Sequence, residues 1–177
     1  MKTFLVLTLT LLVDLAMAEV EMCEMADLAA GTVENPTSTP LVVNYPENNY
    51  IYVGFQACQG ARLTIAKIFG LTTYRVHFGE ANNTLYTVSL LTYATISETV
   101  VFSKAEESPL DCNEMRYFWV KVIDGEITFG KGLQVGSDEI GTVTSNYILG
   151  AHLGTDSTLD SEGNYPVKIE LQCDSAI

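Results

Sequence analysis

Positive charge is scarce in this chain. Nine Lys and Arg face 22 Asp and Glu, leaving a formal net charge of −13. Such a surface repels phosphate backbones and anionic lipid, so DNA, RNA and unaided binding to acidic membranes are poor matches. Cationic partners or calcium suit the charge better, although the acid is scattered in the manner of a solvated surface. Histidine is scarcer still, with only His77 and His152 and no H-x-x-x-H spacing. The four cysteines include no C-x-x-C pair, and together these absences argue against a zinc centre. No long window carries helical periodicity, and there is no internal repeat, low-complexity tract or interdomain linker.

What is present reads as a secreted β protein. The opening "MKTFLVLTLTLLVDLAMA" has a lysine, an apolar run and Ala16-Met17-Ala18, the three parts of a secretory signal peptide. Its apolar run is shorter than the roughly 20 residues of a membrane span. Residues 1–18 are therefore expected to be removed. The remainder divides into an N-terminal arm, 19–40, and one β domain, 41–177, with no transmembrane segment. The loss takes one lysine and one aspartate, so the net charge is unchanged. A chain of this size buries about two thirds of its unfolded surface as a single domain.

An even number of cysteines in a secreted chain implies two disulfides, for which three connectivities exist. Cys58–Cys112 with Cys23–Cys173 is favoured, because the second pair ties together two ends that commonly lie close in a compact domain. A short helical turn is expected around Met22 to Ala30, followed by a connector rich in Gly, Asn and Pro. From residue 41 the pattern alternates with period two. "NNYIYVGFQAC", "ARLTIAKIF", "TYRVHFGE", two strands within "NNTLYTVSLLTYATISETVVFSK" bent near Leu91 to Ala94, "NYILGAHLG" and "YPVKIELQC" all read as strands. With the hairpin below they make about nine, which predicts an all-β, antiparallel β-sandwich or jelly roll.

The hairpin is "YFWVKVIDGEITFGKG", residues 117–132. Asp124-Gly125 suits a two-residue type I′ turn, where both positions need positive φ. That turn sets Val122 opposite Ile127 and Val120 opposite Phe129, with Phe118 on the same inner side. The other side holds Lys121 opposite Thr128, and Trp119, the sole tryptophan, opposite Gly130. An aromatic laid across a strand glycine is a packing device; an exposed one would be a stacking platform for a sugar or another flat apolar ligand.

"MRYFWVKVIDGEITFGKG" resembles the signature of the farnesoic acid O-methyltransferase-like domain, in which an aromatic-Trp strand, a D-G turn and a strand ending in G-x-G recur. "ARLTIA" (61–66), "TYRVHFGEANNTLYTVSL" (73–90) and "NYILGAHLG" (146–154) are similar to other segments of that family in the same order, so the resemblance covers roughly residues 45–171. It implies an extracellular β-sandwich module, and the family's name implies methyl transfer to farnesoic acid.

The residues themselves favour recognition over catalysis. A common S-adenosylmethionine site needs a Gly-rich loop between a strand and a helix; "GKGLQVG" follows an antiparallel hairpin instead. His77 and His152 are the only available bases, and no G-x-S-x-G elbow accompanies them. Glu106 with Glu107, and Asp138 with Glu139, are adjacent and point oppositely in extended chain, so neither is a natural carboxylate dyad. "GTDSTLDSEGN" (154–164) offers Asp156, Asp160 and Glu162 as hard oxygen ligands for a weakly held Ca²⁺, but without EF-hand spacing. A solvated loop is the expectation there, and no cofactor is expected. Asn82-Asn83-Thr84 is the sole glycosylation sequon, at Asn82, since Pro36 excludes Asn35-Pro36-Thr37.

The expected protein is thus a secreted, acidic, glycosylated and non-catalytic recognition or interaction module of the effector, venom or defence kind. Its partner would be an extracellular ligand or protein, and its ligand a carbohydrate or a small apolar molecule. Trp119, Lys121, Thr128 and His152 are the candidate ligand surface. Methyl transfer to farnesoic acid is the alternative. A membrane-active toxin using 84–104 as an insertion hairpin is the second.

Overall fold

Alternation of apolar and polar side chains gives each strand one face to bury, and two such sheets bury theirs against each other. The computed structural model describes residues 20–25, 43–44, 49–67, 72–144, 151–157 and 168–173. Within them twelve strands form two antiparallel sheets. The strands are β1 (Met22–Met25), β2 (Val43–Asn44), β3 (Tyr50–Gln56), β4 (Ala61–Lys67), β5 (Thr72–Gly79), β6 (Leu85–Thr92), β7 (Ser97–Ala105), β8 (Arg116–Ile123), β9 (Glu126–Lys131), β10 (Glu139–Thr144), β11 (Ala151–Ser157) and β12 (Lys168–Gln172). The first sheet has the order β1-β12-β3-β8-β9-β10 and the second β2-β11-β4-β5-β6-β7. The fold is the antiparallel sandwich that the strand pattern predicts.

Aromatic rings from both sheets meet in the core. Phe55 and Phe118 from the first sheet meet Phe78 and Tyr86 from the second, and the Phe78 and Phe118 centroids lie 4.3 Å apart. Offset and edge-on rings of this kind contribute beyond their buried area. All five inward residues of the 117–132 hairpin belong to this core. Its register is the one the turn dictates, with Val122 on Ile127, Lys121 on Thr128 and Trp119 on Gly130. Asp124 and Gly125 have φ of 50° and 83°, as a type I′ turn requires.

Cys23 bonds Cys173 and Cys58 bonds Cys112, the connectivity favoured above. The helical turn expected from Met22 is not formed there. Met22–Met25 is a strand paired antiparallel to β12, with Cys23 opposite Leu171. Local propensity gives way because the open edge of β12 supplies ladder partners and the Cys23–Cys173 bond holds the segment against them. β10 is a further strand that the alternation did not reveal. Residues 1–18, where a signal peptide is expected, lie outside the described residues, as does most of the arm.

Candidate functional site

The outer face of the second sheet carries an interlocked polar cluster. On β5, Tyr74, Val76 and Phe78 turn into the core, which turns Thr73, Arg75 and His77 outward. On β6, Tyr86 and Val88 turn inward, which leaves Thr87 and Ser89 outward. The ladder sets Arg62 beside His77 and His77 beside Thr87, while Thr64, Arg75 and Ser89 form the next row. On β7, Ser89 faces Val100, so Glu98 lies on the diagonal from Ser89.

These groups are bonded to one another. His77 Nε2 lies 3.0 Å from Ser89 Oγ, and its Nδ1 lies 3.0 Å from Glu80 Oε1. Thr87 Oγ1 donates to Glu80 Oε2 at 2.6 Å. Ser89 Oγ donates to Glu98 Oε1 at 2.5 Å, and Arg75 Nη1 donates to Glu98 Oε2 at 2.8 Å. Burial would raise the Glu98 carboxyl, but the Ser89 hydroxyl, the Arg75 guanidinium and His77 outweigh it and hold the group below the usual carboxylate range.

Ser89, His77 and Glu80 stand in the order of a hydrolytic relay, yet the arrangement suits holding rather than attack. The Ser89 side chain is buried, and its single proton already has a carboxylate acceptor in Glu98. A nucleophile needs that proton free for the imidazole. With a neutral imidazole, one of the contacts around His77 and Ser89 lacks a proton, and protonation of His77 would fill them all. Burial opposes that charge, and the guanidinium groups of Arg62 and Arg75 oppose it further. Together they hold His77 below its ordinary value of 6.5 against the pull of Glu80 and Glu98.

The sign of the linkage follows. The unfolded chain binds this proton more readily than the folded one, so the stability contributed by neutral His77 is fully present above 6.5. It is lost as the pH falls through the folded value. An NMR titration of the His77 ring should give a midpoint below 6.5, whereas a midpoint above it would show the imidazolium held between the two glutamates.

The residues singled out from sequence are not brought together as one site. Trp119 is 1% exposed. Its Nε1 donates to Ser137 O at 2.8 Å, and its ring lies so close over Gly130 that a Cβ there would sit 2.4 Å from Cζ2. The loop 132–138 closes over this part of the first sheet, so Trp119 is a packing residue and not a stacking platform. Lys121 and Thr128 share its face, and Thr128 Oγ1 is 3.0 Å from Thr142 Oγ1. His152 belongs to the other sheet, on β11 opposite Ala66, with Asp156 opposite Arg62. Asp160 and Glu162 lie outside the described residues. Asn82 is exposed in the left-handed turn Glu80–Asn83, where Ala81 and Asn82 have φ of 50° and 61°. Asn83 clamps that turn through its amide to both backbone groups of Leu110, at 2.8 and 3.0 Å.

Among the described residues, no helix is long and apolar enough to cross a membrane. No family model matches the chain, and no curated protein matches it. Among solved structures it is similar to the carbohydrate-binding module CBM66 from Bacillus subtilis, at 8% identity over 70% of each chain and a TM-score of 0.46. It is also similar to Bacillus licheniformis β-glucanase, at 11% identity over 73% of this chain and 65% of that one, with a TM-score of 0.46. A third is toad ovary galectin in complex with thio-digalactose, at 11% identity over 74% and 88% and a TM-score of 0.41. The chain spans less than two thirds of the glucanase. At these values the likeness is one of general architecture, and no role is drawn from it.

Proposed function

We propose that the protein is a secreted, non-catalytic carbohydrate-recognition module, and that its ligand face is the polar outer face of the second sheet. The observation that carries this reading is the cross-strand network Arg75–Glu98–Ser89–His77–Glu80, whose polar groups are fixed relative to one another before any ligand arrives. Sugars present neighbouring hydroxyls that donate and accept at once. Guanidinium, carboxylate and imidazole groups at set spacing match them with little ordering cost. At the end of the face Tyr93, 53% exposed, has its hydroxyl 3.4 Å from Thr73 Oγ1 and offers a ring for stacking. A small apolar ligand fits this face poorly, because it would strip water from several ionisable groups without replacing their hydrogen bonds.

Two disulfides agree with passage through an oxidising compartment, to which a signal peptide at 1–18 would direct the chain. On this reading, kinship with the farnesoic acid O-methyltransferase-like domain would be a kinship of scaffold and hairpin rather than of methyl transfer. A glycan array tests the proposal. The protein should bind a subset of glycans, and Arg75→Ala should weaken that binding by at least about tenfold, the worth of one charge-assisted hydrogen bond. Lys121→Ala, on the other sheet, should bind as the native protein does. An array without binding, or one on which Arg75→Ala behaves as native, would contradict it.

One observation favours the second, membrane-active reading. Tyr93, Ile96, Val100 and Val101 on the β6–β7 hairpin are exposed, Ile96 by 89%. Dye release from uncharged liposomes at micromolar protein would support that reading, and intact liposomes would remove it.

A further inference from the structure

Two costs meet at Ile96, in the turn between β6 and β7. Its side chain is 89% exposed, the highest value among the large apolar residues described. Its φ is 49°, in the left-handed region. The other described non-glycine residues with positive φ are Ala, Asn, Ser or Asp, so Ile96 alone among them is β-branched. A β-branched residue in that conformation is an outlier, because its crowded Cβ presses on the backbone. Asparagine or glycine would close the same turn without the strain and without baring an apolar side chain to water. A strained residue that also faces water points to a use outside the fold.

The chain around it is built without charge. Across residues 81–97 there is no Asp, Glu, Lys, Arg or His, in a protein of net charge −13. The next residue, Glu98, is paired with Arg75 at 2.8 Å. Tyr93, at the other side of the turn, is 53% exposed and joins an apolar ring to a hydroxyl, a combination suited to the boundary between lipid and water. Thr95 and Ser97 add hydroxyls, 2.6 Å apart. A cationic protein would find nothing in this turn to pair with. A neutral lipid surface needs no such pairing, whereas anionic lipid is repelled by the acid of the whole chain.

Only the turn is free to enter a bilayer. Leu90 and Phe102, on the two arms of the hairpin, pack on the core. β6 is laddered to β5, and Glu98 accepts hydrogen bonds from both Ser89 and Arg75. The turn 93–96 matches the shallow seat of interfacial elements, roughly 5–10 Å deep, and is far too short to span. Such a seat leaves the bilayer intact, in contrast to insertion of the whole hairpin.

We propose that the turn 93–96 is a membrane-docking tip, which seats Ile96 in the outer layer of a neutral, phosphatidylcholine-type bilayer without opening it. The tip shares Tyr93 with the polar face of the second sheet. It rests on Ile96, which has no part in that network, so it stands or falls separately from carbohydrate recognition.

Sedimentation with phosphatidylcholine vesicles that carry no glycan tests it. The protein should partition onto them at millimolar lipid and leave an entrapped dye inside. Replacing a third of the lipid by phosphatidylserine should weaken the partition. Ile96→Asn should weaken it by at least about tenfold, the least expected for burying one isoleucine side chain. That variant should melt at or above the native temperature, because asparagine accepts the left-handed conformation. With spin-labelled lipid in the vesicles, the amide signals of 93–97 should broaden before any others in the ¹⁵N-labelled native protein. The proposal would be overturned by no partition at millimolar lipid, by native partition of Ile96→Asn, or by tighter partition onto the acidic vesicles. Broadening centred elsewhere would overturn it too, as would release of the dye, which would mean that more of the hairpin than its turn enters.

Discussion

Trp119→Ala is expected to destabilise the protein by about 3–5 kcal/mol, the range for removing a large buried aromatic. The indole fills the space between β9 and the loop 132–138, and its Nε1 holds that loop through Ser137 O at 2.8 Å. Truncation would therefore leave both a cavity and a backbone carbonyl without its donor. The complementary substitution, Gly130→Ala, should cost about 1–3 kcal/mol through overpacking, because the new methyl would meet a rigid ring at 2.4 Å. The two effects should not add. Once the indole is gone the methyl has room, so Gly130→Ala in the Trp119→Ala background should cost little or even restore stability. Chemical denaturation of the four proteins checks this. Simple additivity would mean that the ring does not lie on Gly130.

Replacing Cys58 and Cys112 together by alanine is expected to cost about 4 kcal/mol, from the 54-residue loop that the bond closes. For a chain of this size that lowers the melting temperature by roughly 10 °C. The bond also works with its neighbours. Ala57 N donates to Asp111 O at 3.0 Å, and Gln56 Nε2 donates to Cys112 O at 3.1 Å, so the segment before β8 is fastened to the β3–β4 turn. The loss should appear first as faster amide exchange in residues 108–115. Melting at the native temperature would show that these hydrogen bonds alone suffice.

The hairpin was legible because its determinants are local. Asp124-Gly125 fixed the turn, the turn fixed the register, and the register separated core from surface. The β6–β7 turn was legible only in outline: the bend expected near Leu91 to Ala94 lies at 93–96, and no Asp-Gly pair marks it. β1 and β10 were not. "MCEM" has no strand pattern of its own and is extended only because β12 and Cys173 are beside it. "EIGTVT" is short and interrupted by Gly141, whose value is tertiary: the Phe102 ring occupies the place where its side chain would be, with a Cβ there 2.4 Å from Cζ.

The candidate site shows the same division. His77 could be seen as the polar member of an alternating strand. Its partners could not, because Ser89 and Glu98 reach it through two strand registers and a bulge between Val88 and Ser89. Trp119 shows the converse. Its glycine partner was visible in the hairpin, but the loop that covers it lies beyond the second strand, and nothing in the hairpin signals the fold-back. Exposure, which decides between platform and packing, is a property of that longer-range contact.

The most direct test of the account is to map the strongest glycan of the array onto the backbone amides of the ¹⁵N-labelled protein. Carbohydrate recognition on the second sheet predicts shifts confined to Arg62–Thr64, Thr73–His77, Thr87–Ser89 and Tyr93–Glu98. Shifts centred instead on Trp119–Lys121 and Thr128, or around Met115–Phe118, would contradict the assignment of the ligand face.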